Sequence, residues 1–555
     1  SRFRSPHCQK KDPGVPNLWG ELFLPGRPYA VLSHTYAIVY SVTDSGQEGD
    51  VLRVLLINSN LRDDLFAAPP IGLCYVAGAT EAAGHEVQVL DLCFKRHVFK
   101  ELDAKIGEFS PHVVGVSIRN LDNANMLYPV SYLPEARRVL DRVRQTTTAP
   151  IVVGGSAAGL SPAGILNLLG ADFVVVSDGE KTFVDLLECI GKGETPENIP
   201  GVAMMLDGRF HTRSPRLGDF SGPSPDLGKW IDLRPYQNVG SSFGIQTKRG
   251  CRQRCIYCTY NQVLEGNRLR LRSPLDVVDE IEEALRKHNP ESFEFVDSVF
   301  NDPQDYCTEI LEEIVRRPWR ARFTAMGVNP KGLDHGFLEL MKRAGFTSLM
   351  ITPESASPTM LENYRKGFTI DDVIHAAEAV NRSRFMSMWF FLVGGPGETN
   401  ETLRESLDFT LKYLKQDRGP FFKLINYFLG IRVYPRTRLW EIASGEGLVC
   451  DQDDALDPVW YLSSDLDLEQ AMRQMITTAA RCPQMISGFD ERYLALSGII
   501  AFIGKLFHLN KPYWNVLTHA NRVLRKPALR LAFNPEKIAR TLRDRLDRRR
   551  KGKRP

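Results

Sequence analysis

The sequence predicts an α/β protein: a Rossmann-like (flavodoxin-like) domain, then a partial barrel of six β/α units, then a mainly helical C-terminal region. Three observations carry this prediction. Short apolar runs alternate with amphipathic helical stretches over residues 51–190. A second alternation runs over 238–438, separated from the first by a Pro/Gly-rich linker at 191–237. From residue 439 the periodicity is helical, without a clear repeat. At 555 residues the chain is also too long for one compact core.

The elements follow in order. Residues 1–50 form a poorly patterned extension, with strand character in Tyr36–Val42. VLRVLLIN (Val51–Asn58) opens the first series, followed by a helix over Ile71–Gly84. Further strands fall at His85–Leu92, His112–Ile118, Pro150–Ser156 and Asp172–Glu180. Helices lie between them at Val98–Phe109, Leu133–Gln145 and Pro162–Leu169, and a last one ends at Ile190. Strands apolar on both faces and alternating with helices belong to a covered parallel sheet. Such sheets bind ligands beyond the carboxyl ends of their strands. In the linker Gly191–Gln237, the run Ser214–Trp230 cannot propagate a helix. The second series places strands at Ser242–Thr247, Ser292–Val296, Arg322–Met326, Ser348–Ile351, Ser387–Val393 and Phe422–Asn426. Leu275–Lys287 and Leu403–Leu414 are among the helices between them, and the active site of such a barrel lies at the strands' C-terminal ends.

Composition narrows the class. The chain is 43% hydrophobic and 25% charged, ordinary for a globular protein, and its net charge of +3 calls for no nucleic-acid partner. The basic excess gathers in the tail Arg540–Arg554, read as a solvated helix or frayed end. Ten cysteines are too few for a disulfide scaffold. The start lacks the apolar core of a signal peptide. Leu494–Leu509 is shorter than a membrane span and carries Lys505. It reads as core packing, with a lipid-like substrate or membrane-surface contact left open. The expectation is a cytoplasmic monomer.

The strongest chemical signal is RGCRQRCIYCTYN (Arg249–Asn261), which spaces Cys251, Cys255 and Cys258 as C-x3-C-x2-C just after the first barrel strand. Clustered thiolates are iron–sulfur ligands. A zinc site would want a fourth ligand, usually from a second pair, and none lies nearby. Three thiolates on a 4Fe–4S cluster leave one iron open.

These residues resemble the radical S-adenosylmethionine (SAM) superfamily, over roughly Ser242–Tyr434. The resemblance implies that the open iron binds the amino and carboxylate groups of SAM, with Tyr257 near the adenine. FVDSVFND (Phe295–Asp302) looks like the family's polar turn, which implies that Asp297 and Ser298 touch the methionyl amino group. ITPESASPTML (Ile351–Leu361) implies a role for Glu354 at the ribose or methionyl part. FFLVGGPGET (Phe390–Thr399) places Gly394, Gly395 and Pro396 near the adenine.

The first domain has no GxGxxG after its first strand, which argues against a dinucleotide. Its order and spacing resemble the cobalamin-binding domain that precedes many radical SAM enzymes. That resemblance implies that Ser117, then Gly154, Gly155 and Ser156, then Asp178, Gly179 and Glu180 surround the cofactor's nucleotide tail. Arg119, Asn120 and Asp122, following the third strand, would lie at the junction with the barrel and contact cobalamin or substrate. The loop after the first strand lacks the Asp-x-His-x-x-Gly of cobalamin mutases. His85, His97 and His112 read as surface or boundary residues, so a base-off cobalamin without a protein imidazole is expected.

Together the resemblances imply a class B methylase, in which methylcobalamin and a 5′-deoxyadenosyl radical methylate an unactivated carbon. The alternatives are a non-methylating rearrangement, cyclisation or carbon–carbon coupling, and a non-catalytic cobalamin sensor. The expected cofactors are a 4Fe–4S cluster, SAM and cobalamin. The expected partners are a small-molecule or peptide substrate and an electron donor such as flavodoxin or ferredoxin. Because the cofactors carry the chemistry, no catalytic acid–base pair is sought.

Overall fold

The computed structural model describes residues 51–62, 67–220, 225–415, 423–450, 453–482, 484–486 and 497–506. The strand expected at Tyr36–Val42 and the basic tail lie outside the described residues. Among the described residues no helix is long and apolar enough to cross a membrane.

The first sheet is built on β1 (Arg53–Asn58), β2 (Glu86–Asp91), β3 (Val113–Ser117), β4 (Ile151–Gly154) and β5 (Phe173–Val175), which run parallel in the order β2-β1-β3-β4-β5. Strand side chains alternate between faces. Leu55, Ile57, Val114, Val116 and Val153 enter one core with Leu102 and Val139. Val54, Leu56, Val113 and Val152 enter the other with Leu73, Phe183 and Leu186. Both faces are therefore buried, which is why the strands read as near-continuous apolar runs.

The linker expectation is corrected. Residues 202–206 and 209–212 form β6 (Val202–Leu206) and β7 (Arg209–Thr212), an antiparallel hairpin that extends the sheet beyond β5. Its turn is Asp207-Gly208, with φ of 48° and 73°. Positive φ at both central residues matches the twist of a two-residue hairpin and suits Asp-Gly. Abundant proline and glycine around the hairpin concealed it.

The second sheet contains β8 (Phe243–Ile245), β9 (Phe293–Phe295), β10 (Phe323–Val328), β11 (Phe346–Glu354), β12 (Met386–Val393) and β13 (Lys423–Leu429), all parallel and in sequence order. A seventh short strand, β14 (Met485–Ile486), pairs with β13. It falls inside the region expected to be helical. Phe293, Phe295, Phe323, Leu349, Ile351, Trp389, Phe391, Ile425 and Tyr427 belong to the large core under the helices. The alternate residues, such as Glu294 and Met326, face the lumen. The helix predicted over Leu403–Leu414 spans Asn400–Phe409 and ends in a π-helical turn, Thr410–Leu414.

Candidate functional site

The cysteine loop hangs from a short antiparallel pair, Lys248–Arg249 with Arg270–Leu271. Its root is anchored beneath the barrel mouth. Asp297 is 3% exposed and accepts from the Thr247 amide (2.7 Å), the Thr247 hydroxyl (2.7 Å) and the Lys248 amide (3.2 Å). Burial pushes the Asp297 carboxyl up, and the Lys248 ammonium opposes that shift. Lys248 itself donates to the Phe300 carbonyl at 2.6 Å. Gly250 has φ +87°, and a Cβ there would stand 2.2 Å from the Arg268 carbonyl oxygen, so no larger residue fits. Its amide donates to Glu265 at 2.8 Å, and Ser298 donates to the same carboxylate at 3.1 Å. Ile256 is clamped on both sides: its amide donates to the Tyr364 carbonyl (3.2 Å), and its carbonyl accepts from the Leu439 amide (2.8 Å).

Within this loop Cys251 and Cys255 are buried and Cys258 is half-buried. Burial, helped by the neighbouring cysteines, pushes the Cys251 thiol up to about 12 and Cys258 up to about 11. The three sulfurs thus share one electrostatic neighbourhood, and a cationic cluster would stabilise all three as thiolates. The donor set, three cysteine thiols on one short loop, fits a 4Fe–4S cluster.

The expected SAM contacts divide. Tyr257 accepts from the Lys366 ammonium at 3.2 Å and meets Tyr364 edge-on at 5.8 Å. Glu354 closes β11 at φ +66°, across a register shift in its pairing with β12. Burial raises its carboxyl, and the Lys366 charge opposes that. Gly394 and Gly395 cannot carry side chains: a Cβ would lie 2.3 Å from Leu462 and 2.1 Å from Tyr364. Their amides donate to Glu398, at 2.5 and 3.1 Å. Asp297 bonds the root of the cysteine loop and Ser298 bonds Glu265, so both shape the loop.

At the carboxyl edge of the first sheet, Gly154 leaves the space where a Cβ would project open to 4 Å. Gly155, at φ +96°, would place a Cβ 2.5 Å from the Ile118 carbonyl oxygen. Ser156 donates to the Arg119 carbonyl at 2.7 Å, and the Ser117 carbonyl accepts from Ser59 at 2.9 Å. Arg119 and Asn120 are exposed beside this glycine-lined edge. An open cradle with exposed polar groups fits a large cofactor tail. Gly179 packs the helix Gly179–Gly191 against Val76. Asp178 and Glu180 bind arginines of the barrel. Glu180 accepts from Arg249 (3.1 Å), Asp178 pairs with Arg249 (3.2 Å), and Asp178 also pairs with Arg270. Burial alone would raise Glu180, but Arg249 overrides it and holds the carboxyl below the usual range. Arg249 also lies over the rings of Phe220 (4.2 Å) and Tyr75 (5.2 Å). His85 and His112 accept from the Leu52 and Arg53 amides at the amino end of β1, and His97 precedes the helix Val98–Phe109.

The two domains therefore face each other edge to mouth. Ser177 donates to the Leu264 carbonyl (2.5 Å), Arg436 to the Gly159 carbonyl (2.5 Å) and Arg432 to Asp122 (2.9 Å). The charge of Arg119 reaches both Tyr260, beyond the last cysteine, and Glu294 in the barrel lumen. Burial pushes Glu294 up to about 7, with Arg119 opposing. Sequence reasoning missed Glu265, Glu294, Glu398 and Arg432. Glu398 stood inside a quoted motif, and Glu294 was the acidic residue between two phenylalanines of a buried strand.

An α/β domain whose binding edge closes on a three-cysteine barrel loop defines an enzyme with two cofactor sites meeting at one junction. Residues 245–410 match the Radical SAM superfamily and residues 62–187 match the B12 binding domain. The chain therefore carries a B12-binding domain followed by a radical SAM domain, the pairing that works with a 4Fe–4S cluster, SAM and cobalamin as cofactors. It is 27% identical over 410 residues to an uncharacterized methyltransferase of Pyrococcus horikoshii, covering 71% of this chain and 83% of that one. It is 27% identical over 446 residues to the tryptophan 2-C-methyltransferase of Streptomyces laurentii, covering 69% and 73%. Among solved structures it resembles the methyltransferase TsrM of Kitasatospora setae with cobalamin and a 4Fe–4S cluster bound. The TM-score is 0.71 at 23% identity, over 89% of this chain and 100% of that one. It also resembles the radical enzyme OxsB with aqua-cobalamin bound, at a TM-score of 0.62 and 15% identity, over 90% and 80%. At these identities the structural likeness is one of fold.

Proposed function

We propose that this enzyme methylates an unactivated carbon of a small molecule held between its two domains. The observation that carries the reading is the junction itself, where the cysteine loop meets the carboxyl edge of the B12-binding domain through Arg249 and Glu180. Relatives named as methyltransferases, including a cytidylyl-2-hydroxyethylphosphonate methyltransferase of Streptomyces wedmorensis, support the same reaction class. The bound groups supply the methyl donor and the hydrogen-abstracting radical.

The chain's own residues bind and orient. Cys251, Cys255 and Cys258 hold the cluster. Tyr257, Glu354 and the loop Gly394–Pro396 line the SAM side, with Lys366 joining Tyr257 and Glu354 electrostatically. Ser117, Arg119, Asn120 and Gly154–Ser156 form the cobalamin edge. Asp178 and Glu180 fix the distance between the two sites by holding Arg249, two residues before Cys251. Closure around the junction excludes water from a reactive radical.

Anaerobic turnover with SAM tests the reaction class, using a panel of small molecules that includes tryptophan and cytidylylated hydroxyethylphosphonate. Equal amounts of S-adenosylhomocysteine and 5′-deoxyadenosine with a methylated product are expected. 5′-Deoxyadenosine with product but no S-adenosylhomocysteine would replace methylation by a rearrangement, cyclisation or coupling.

A further inference from the structure

Radical chemistry on this junction requires an electron to reach the cluster from outside the chain, and the inference here rests on that reading. A recess of about 330 Å³ opens against the cysteine loop, and none of its lining residues belongs to the B12-binding domain. Its wall includes Ile256, the residue directly after Cys255, together with Pro396, Arg365 and Arg438. The two arginines straddle Ile256 by construction. The Ile256 amide bonds the carbonyl of Tyr364, the residue before Arg365, and the Ile256 carbonyl accepts from Leu439, the residue after Arg438.

Both guanidinium groups are on exposed residues. Arg365 sits at φ +55°, left-handed for a residue with a side chain, where the helix Pro358–Asn363 has just ended. Among the described residues it has no acidic partner. Arg438 pairs with Glu441. Arg254, directly before Cys255, is exposed and likewise has no acidic partner among the described residues. Two cations without an acidic partner among the described residues, Arg365 and Arg254, and the Glu441-paired Arg438 thus surround the point where a single residue of backbone separates the recess from Cys255.

We propose that this face of the cysteine loop is the docking and electron-entry site for an acidic, low-potential one-electron carrier protein of flavodoxin or ferredoxin type. The carrier is oxidised by one electron, the cluster is reduced by one, and no atom moves between them. A small charged patch of this kind suits a transient redox encounter, which needs a fast on-rate more than a large buried area. Arg365 and Arg438 steer the carrier, and the clamped Ile256 backbone provides the short path to Cys255.

The test compares two reductants on the reconstituted holoenzyme, reading bleaching of the cluster absorbance by stopped flow rather than product. In the R365E/R438E double variant, reduction by a reduced flavodoxin should slow roughly tenfold or more at low salt, the range of electrostatic steering. Its dependence on ionic strength should flatten. Reduction by titanium(III) citrate, which needs no docking, should keep its wild-type rate. R365Q/R438Q, which removes charge without reversing it, should fall between. Flavodoxin-driven reduction at the wild-type rate in the double variant, or an equal loss with titanium(III) citrate, overturns the assignment. Because methyl transfer is not read, failure here is separable from failure of the methylase reading.

Discussion

Arg432 and Asp122 meet at 2.9 Å across the domain junction, with side chains 3% and 2% exposed. Arg432 also donates to the carbonyls of Val433 (2.8 Å) and Ala455 (2.5 Å), so each guanidinium nitrogen has an acceptor. The loop after β3 is thereby fixed to the corner after β13, and the orientation of one cofactor site relative to the other is fixed with it.

Removing one partner leaves an uncompensated buried charge. Asp122→Ala should destabilise the folded protein by about 3–5 kcal/mol. Denaturant unfolding measures this, and Asp122→Ala with Arg432→Met should recover much of the loss, because replacing both partners removes the orphaned charge.

Glu180 makes the junction sensitive to acid. Its folded carboxyl lies below the usual range because Arg249 outweighs burial. A depressed value means that its contribution is present above the unfolded carboxylate range and is lost as pH falls through the folded value. Wild-type thermal stability should therefore drop on acidification, and Glu180→Gln should flatten that part of the pH–stability curve. An identical curve in the variant would detach Glu180 from the junction's acid sensitivity.

Glu398 has the opposite sign. Burial raises its carboxyl from 4.5 to about 7, against the opposing hydrogen bonds from Gly394, Gly395 and Tyr364. The folded state then holds a proton that the unfolded chain has released. Stability contributed by this group is present below pH 4.5 and is lost as pH rises to about 7. Glu398→Gln keeps an acceptor for the two glycine amides and should lose that slope, as calorimetry across this window would record.

Arg119→Ala should weaken cobalamin binding roughly tenfold, about 1.4 kcal/mol, in a protein that still folds. Equilibrium titration of the cobalamin spectrum measures this. His85→Ala and His112→Ala should leave the spectrum base-off and unchanged, since both imidazoles accept from amides at the opposite end of the sheet. Wild-type affinity in Arg119→Ala would return that residue to loop structure.

The sequence was informative where chemistry is local. Five parallel strands were legible because both faces of each are buried, and the cysteine loop because its three cysteines lie within eight consecutive residues. Partners distant in sequence were not legible. Asp178 and Glu180 looked like ligand-binding residues after a strand, yet they bind arginines 92 and 69 residues away. Asp297 stood in a polar turn that resembles a SAM contact, and only the fold shows its bonds to Thr247 and Lys248. β14 is two residues long, too short for any periodicity to register. The hairpin at Asp207-Gly208 was marked by its turn residues but hidden among prolines.

The central claim, that Cys251, Cys255 and Cys258 hold the cluster on which SAM is cleaved, is tested most directly by the triple variant Cys251→Ala, Cys255→Ala, Cys258→Ala. Anaerobic reconstitution of the wild-type chain should yield about four irons per chain, the content of one 4Fe–4S cluster. The triple variant should hold none and form no 5′-deoxyadenosine, while still binding cobalamin through the untouched first domain. Iron retained together with 5′-deoxyadenosine produced by the triple variant would contradict the account.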